Sequence, residues 1–181
     1  MGREEQVRRK GVPRPSPTRA TASTTKISMA KATVRRLSQS SVAEGRPVIV
    51  ADDSEDDISL LQLAFRKAGI LNDIVVVRDG EEVVDYLACA IHAGDKERNP
   101  LPALVILDLM MPKLDGFSVL EWMNKVPQFA ELPVVIFSAS PFEEDLLKAA
   151  HLRAVEYLVK PGKLSELVQM VSGLGERWLR C

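Results

Sequence analysis

Three aspartates, a serine and a lysine each stand at the end of a short apolar run. Asp52 and Asp53 follow Val48-Ile49-Val50-Ala51, and Asp108 follows Leu104-Val105-Ile106-Leu107. Ser138 closes Pro133-Val134-Val135-Ile136-Phe137, and Lys160 follows Ala154-Val155-Glu156-Tyr157-Leu158-Val159. Three carboxylates brought together repel, raise one another's pKa and need a cation. Mg²⁺ suits such a set, since it takes oxygen ligands and keeps room for waters and a phosphate oxygen. Lys160 would add a fixed positive charge and Ser138 a hydroxyl for an oxyanion. That combination fits phosphoryl transfer, in which catalysis is mostly positioning and charge neutralisation. Singly, each residue has a plainer reading: a helix-capping acid pair, a surface lysine, a strand-end hydroxyl.

The elements around these residues must bring them together. Continuous apolar runs of this length read as strands buried on both faces. Ser54 caps a helix with Glu55, Asp56 and Asp57 in its first turn, and Ser54-x-x-Asp57 has capping-box spacing. On that helix Asp56 and Asp57 are expected to serve the N-terminal dipole. Ile74–Val77 is the second strand, and Asp79-Gly80 turns the chain into a helix with Val83, Val84, Tyr86 and Leu87 inward. Asp115-Gly116 opens a third helix, a fourth runs from Phe142 to about His151, and the last from Leu164 to Leu174. Strand and helix alternate five times, so right-handed crossovers give an α/β doubly wound parallel sheet with helices on both faces. The strands' carboxyl ends then share one edge, where ligands bind in such sheets.

The chain has 181 residues and 46% hydrophobic content, enough for one domain and an appendage. Its net charge of −1 hides an asymmetry. Residues 1–46 carry 11 Lys and Arg against 3 Glu, a net of +8, which leaves −9 for the rest. Residues 1–45, rich in Ser, Thr, Pro, Arg and Ala, read as a disordered basic tail, with Met29 as an alternative start. The folded domain is expected over 46–175, with 176–181 as a C-terminal extension. Cys89 and Cys181 form no CxxC, which argues against a disulfide framework or a zinc site and fits a cytoplasmic location. No stretch nears the roughly 20 apolar residues a bilayer requires.

The motifs Val-Ala-Asp52-Asp53-Ser, Leu-Asp108-Leu-Met-Met-Pro112-x-x-Asp115-Gly116, Phe-Ser138-Ala139 and Lys160-Pro161 resemble those of two-component response-regulator receiver domains, the CheY-like family. The intervals of 30 residues from Asp108 to Ser138 and 22 from Ser138 to Lys160 are similar too. The resemblance spans roughly 46–175 and implies a flavodoxin-like five-stranded sheet in the order 2-1-3-4-5 with five helices. It further implies that Asp108 accepts a phosphoryl group from the phosphohistidine of a sensor histidine kinase. Asp52, Asp53, Asp108 and the Met110 carbonyl would hold Mg²⁺, and Lys160 would pair with phosphoryl oxygens. Ser138 would move to bond the phosphoryl group, with Tyr157 turning inward as the switch aromatic. The Lys160–Pro161 peptide is expected to be cis, as in the family. Met110 and Ser140 match positions that tune acyl-phosphate lifetime, and neither can orient an attacking water, so slow self-dephosphorylation is expected. Asp56-Asp57, the segment from Val77 to Leu87, the loop up to Pro102 and the Gly175-to-Leu179 end resemble standalone receivers that partner phytochrome-like kinases.

On this reading the chain is no enzyme beyond self-catalysed chemistry at its own aspartate. Output would run through a downstream protein target, homodimerisation, or transfer to a phosphotransfer protein, with no membrane and no nucleic acid. Two alternatives stand beside it. A phosphohydrolase would use Asp108 as nucleophile, but Met110 occupies the place of a second acid. A nucleic-acid-binding regulator would use the basic tail, but no helix-turn-helix or aromatic interleaving supports it.

Overall fold

The computed structural model describes residues 45–92 and 99–179. The basic tail and Cys181 therefore lie outside the described residues. Five strands alternate with five α-helices. The strands are β1 (Val48–Ala51), β2 (Ile74–Val77), β3 (Leu104–Leu107), β4 (Val134–Ser138) and β5 (Glu156–Val159). The helices are α1 (Glu55–Lys67), α2 (Gly80–Ile91), α3 (Gly116–Asn124), α4 (Glu143–His151) and α5 (Leu164–Leu174). All strand pairs are parallel, in the order β2-β1-β3-β4-β5. This is the flavodoxin-like arrangement that the resemblance implied.

The period-2 alternation of strand side chains divides the core into two layers. Ile49, Ala51, Val105, Leu107, Val134, Ile136 and Tyr157 face α2, α3 and α4. Val48, Val50, Leu104, Ile106, Val135, Phe137 and Leu158 face α1 and α5. Both faces of β1, β3 and β4 are thus dry, as their unbroken apolar runs require. Each Val, Leu, Ile or Phe among them contributes about 1.5–3 kcal/mol by leaving water. On α2 the apolar stripe is Val83, Leu87 and Ala90, while Val84, Tyr86 and Cys89 are only half-buried. Trp122 packs its ring against Phe129 at 5.4 Å.

Past Leu174 the chain continues as a π-helical turn, Gly175–Leu179, whose Leu179 and Trp178 pack on the α1–α5 layer. All peptide bonds among the described residues are trans. The expected cis bond before Pro161 is therefore corrected to trans, the lower-energy isomer for an X–Pro bond.

Candidate phosphoryl-acceptor site

Backbone pairing extends each central strand by one residue and so delivers the acids to the edge. The Asp52 N–H donates to the Val77 carbonyl at 3.1 Å, and the Asp108 N–H to the Ala51 carbonyl at 2.9 Å. On the other side the Lys160 N–H donates to the Ser138 carbonyl at 2.9 Å. The register places Leu107 opposite Ile136 and Ser138 opposite Val159, so Asp108, Ser138 and Lys160 leave adjacent strands at one end.

Carboxylate oxygens of Asp52, Asp53 and Asp108 lie within 4.8 Å of one another. Asp52 and Asp108 are buried and Asp53 is exposed. A buried carboxylate is costly unless paired, and Lys160 supplies the pairing. Its Nζ donates to Asp52 Oδ2 at 2.7 Å, Asp57 Oδ2 at 2.8 Å and Asp108 Oδ2 at 3.1 Å. All three ammonium donors are thus committed to carboxylates. Burial works against the charged amine, but its hydrogen bonds to Asp52 and Asp57 and the charge of Asp108 outweigh it and hold the Lys160 pKa above its ordinary value. Burial pushes Asp52 up, opposed by its bonds to Lys160 and the Ser54 N–H and reinforced by the nearby charge of Asp108. The Phe137 ring lies under the amine, 5.7 Å from Nζ to centroid.

Asp57 is the site residue that the sequence reading missed. The Ser54 Oγ accepts from the Asp57 N–H at 3.3 Å, as a capping box requires. The reciprocal bond goes elsewhere: the Ser54 N–H donates to Asp52 Oδ1 at 2.9 Å, leaving the Asp57 side chain free to turn to Lys160. The available signal was Asp57's place four residues after Asp53, in the first turn of α1.

Ser138 is fully buried, and its Oγ accepts from the Ser140 N–H at 3.3 Å. Tyr157 is buried with its hydroxyl donating to the Ser140 carbonyl at 2.8 Å. Burial raises the Tyr157 pKa, the bond near Ser140 offsets part of this, and the charges of Asp145 and Asp108 add to it. Ser140 Oγ in turn donates to Asp145 Oδ2. Met110, two residues after Asp108, is 77% exposed.

The loop after Asp108 is fixed by close backbone approaches. The Leu109 N–H donates to Asp108 Oδ1 at 2.7 Å, and the Gly116 N–H donates to the Leu109 carbonyl at 3.1 Å. A Cβ on Gly116 would lie 2.3 Å from the Asp108 carbonyl oxygen, and one on Gly80 would lie 2.2 Å from that of Leu114. Both glycines are therefore required by contact with backbone rather than by their own dihedrals. Gly116→Ala should shift the Asp108 peptide and cost about 1–3 kcal/mol, the range for overpacking. A urea midpoint unchanged from wild type would count against this account.

Lys113, in the same loop, adopts φ 60°, a left-handed conformation that costs a non-glycine residue about 1–2 kcal/mol. Its Nζ meets Asp79 Oδ2 at 2.7 Å, while Asp79 Oδ1 caps α2 through the Glu82 N–H at 2.9 Å. Lys113 holds the Asp79 carboxyl below the usual carboxylate range. Lys113→Met should move the Asp79 titration midpoint upward, read from its carboxyl ¹³C shift. A midpoint that stays put would show that the N-cap bond alone sets it.

A family model for the response regulator receiver domain matches residues 48–172. The chain belongs to that family. Its relatives include response regulator Rcp1 of Synechocystis, 32% identical over 132 residues, or 73% of this chain and 88% of Rcp1. Among solved structures, the phosphorylated cyanobacterial phytochrome response regulator RcpA is 34% identical with a TM-score of 0.67, covering 75% of this chain and 94% of that one. The Mn²⁺-bound form of Rcp1 is 31% identical with a TM-score of 0.65, covering 74% and 94%. Receiver domains bind a divalent metal, and the donor set here suits one. Three carboxylates without sulfur or imidazole favour a hard cation. No described helix is long and apolar enough to cross a membrane. As a response regulator, the chain has a histidine kinase of some kind as its partner.

Proposed function

We propose that Asp108 is the phosphoacceptor, taking the phosphoryl group of a kinase phosphohistidine with Mg²⁺ held by Asp52, Asp53, Asp108 and the Met110 carbonyl. The supporting observation is the convergence of the Asp108 carboxylate, two further acids and the Lys160 amine at one strand edge. When bound, the ion screens the repulsion between the incoming phosphoryl oxygens and the carboxylates. Asp108 Oδ1 accepts from the Leu109 N–H, which orients the carboxylate, and Oδ2 faces the amine. Lys160 is placed to neutralise charge that develops on the transferred group. Ser138, at the end of β4, would supply a hydroxyl to the same oxygens, and Tyr157 would follow it as the switch aromatic.

The new charge on Asp108 would then shift a pre-existing two-state surface around α4, β5 and α5. The kinase is proposed to be of the phytochrome type, and the location cytoplasmic, with a homodimer, a downstream protein or a phosphotransfer protein as output. Residues 46–175 would form the receiver unit. Nucleic-acid binding and phosphohydrolysis are not favoured by the family assignment, and Met110 supplies no second acid.

Acetyl phosphate with Mg²⁺, followed by intact mass, tests the proposal. Wild type should gain one phosphoryl group, and a chelator should abolish the gain. An undiminished gain in the presence of chelator would remove the metal from the assigned role. A product stable for minutes or longer is expected, and one decaying within seconds would contradict the slow self-dephosphorylation assigned to Met110 and Ser140.

A further inference from the structure

We infer that Asp57 is a positioning residue that tethers the Lys160 amine beside Asp108. The inference rests on the reading of Asp108 as phosphoacceptor, and adds to it a carboxylate outside the acid trio.

The amine has three donors, and three carboxylates take them: Asp52 at 2.7 Å, Asp57 at 2.8 Å and Asp108 at 3.1 Å. Two of these partners belong to the acid trio whose oxygens lie within 4.8 Å of one another. A cation in that trio competes with Lys160 for Asp52, and modification of Asp108 takes away the other contact. Asp57 is not one of the trio, so its bond to the amine competes with neither event. Its side chain is 34% exposed, whereas that of Lys160 is 15% exposed, so the tether is anchored at the rim and reaches inward.

The helix start makes the tether stiff. The Asp57 N–H is held by Ser54 Oγ, and the Ser54 N–H by Asp52 Oδ1. The Asp57 backbone is therefore set by the same turn that follows Asp52 and Asp53, and its short side chain reaches the amine from that fixed point. A long lysine chain loses much rotamer freedom when fixed. An anchor that survives metal binding and phosphoryl transfer keeps the amine aimed through both.

The test compares wild type with Asp57→Ala, which removes the acceptor, and Asp57→Asn, which keeps an acceptor oxygen without the charge. Phosphorylation by acetyl phosphate at saturating Mg²⁺ should slow by about tenfold in Asp57→Ala, the factor carried by one charge-assisted hydrogen bond. Asp57→Asn should fall between the two. Metal affinity, read by Mn²⁺ binding, should change less than the rate. In a Lys160→Met background Asp57→Ala should add nothing, because the tether acts only through the amine. In metal-free protein the ¹⁵Nζ signal of Lys160 should shift or broaden in Asp57→Ala.

An unchanged rate at saturating metal, an unchanged Lys160 signal, or an Asp57 effect that persists without Lys160 would each overturn the tether. Wild type that takes up no phosphoryl group would overturn the phosphoacceptor reading itself. That outcome is read on wild type alone and is distinct from the others.

Discussion

Asp108→Asn incubated with acetyl phosphate and Mg²⁺ should show no mass gain under conditions where wild type gains one phosphoryl group. The substitution is nearly isosteric. An asparagine Oδ1 can still accept the Leu109 N–H that the carboxylate accepts at 2.7 Å, so the loop has no reason to rearrange. What disappears is the anionic oxygen that faces Lys160 Nζ at 3.1 Å. A neutral amide oxygen is a poor nucleophile towards phosphorus, and it donates no charge to the metal set. The loss expected is more than about 10³-fold, the scale on which removal of a single essential group is felt. Folding should survive, since one of three mutually repelling acids is neutralised. A mass gain at the wild-type rate would relocate the acceptor to another side chain.

Lys160→Met should destabilise the metal-free protein by about 3–5 kcal/mol at neutral pH, the cost of removing one partner from a buried ionic cluster. The amine is the shared counter-charge of Asp52 and Asp108, both buried, and of Asp57. Methionine fills similar volume but leaves those carboxylates to repel without compensation. Divalent cation should restore part of the loss by binding the folded state preferentially, and restore more in the mutant than it adds in wild type. The sign with pH follows from the raised Lys160 pKa. Its contribution is fully present below the unfolded value of about 10.4 and is lost only as pH rises through the folded value. The difference between mutant and wild type should therefore be undiminished at pH 7. Urea denaturation with and without Mg²⁺ measures both quantities, and equal midpoints in metal-free buffer would contradict the account.

Much of this architecture was legible in the chain itself. Unbroken apolar runs of four or five residues require cover on both faces, and their alternation with amphipathic segments leaves a parallel sheet as the economical solution. Asp52, Asp108 and Ser138 follow such runs, and Lys160 follows a fifth strand that Glu156 interrupts, so a parallel sheet sends all four to one edge whatever the details of packing. Asp115 was readable as an N-cap, and its Oδ1 accepts the Ser118 N–H at 2.7 Å.

Other features depend on distances between segments far apart in sequence, and local pattern carries no information on those. Asp57 reads as an ordinary first-turn acid until β5 delivers an amine 103 residues away to its carboxylate. Gly116 reads as turn chemistry until β3 brings the Asp108 carbonyl against it. Lys113 has no assigned part until the fold brings its amine to Asp79 from a left-handed backbone. The trans peptide before Pro161 likewise departs from the family expectation. Residue types and order determined which chemistry was available and at which edge of the sheet. Only the folded chain decided that Asp52, Asp57 and Asp108 together hold the lysine, because tertiary geometry alone sets which acids come within reach of one amine.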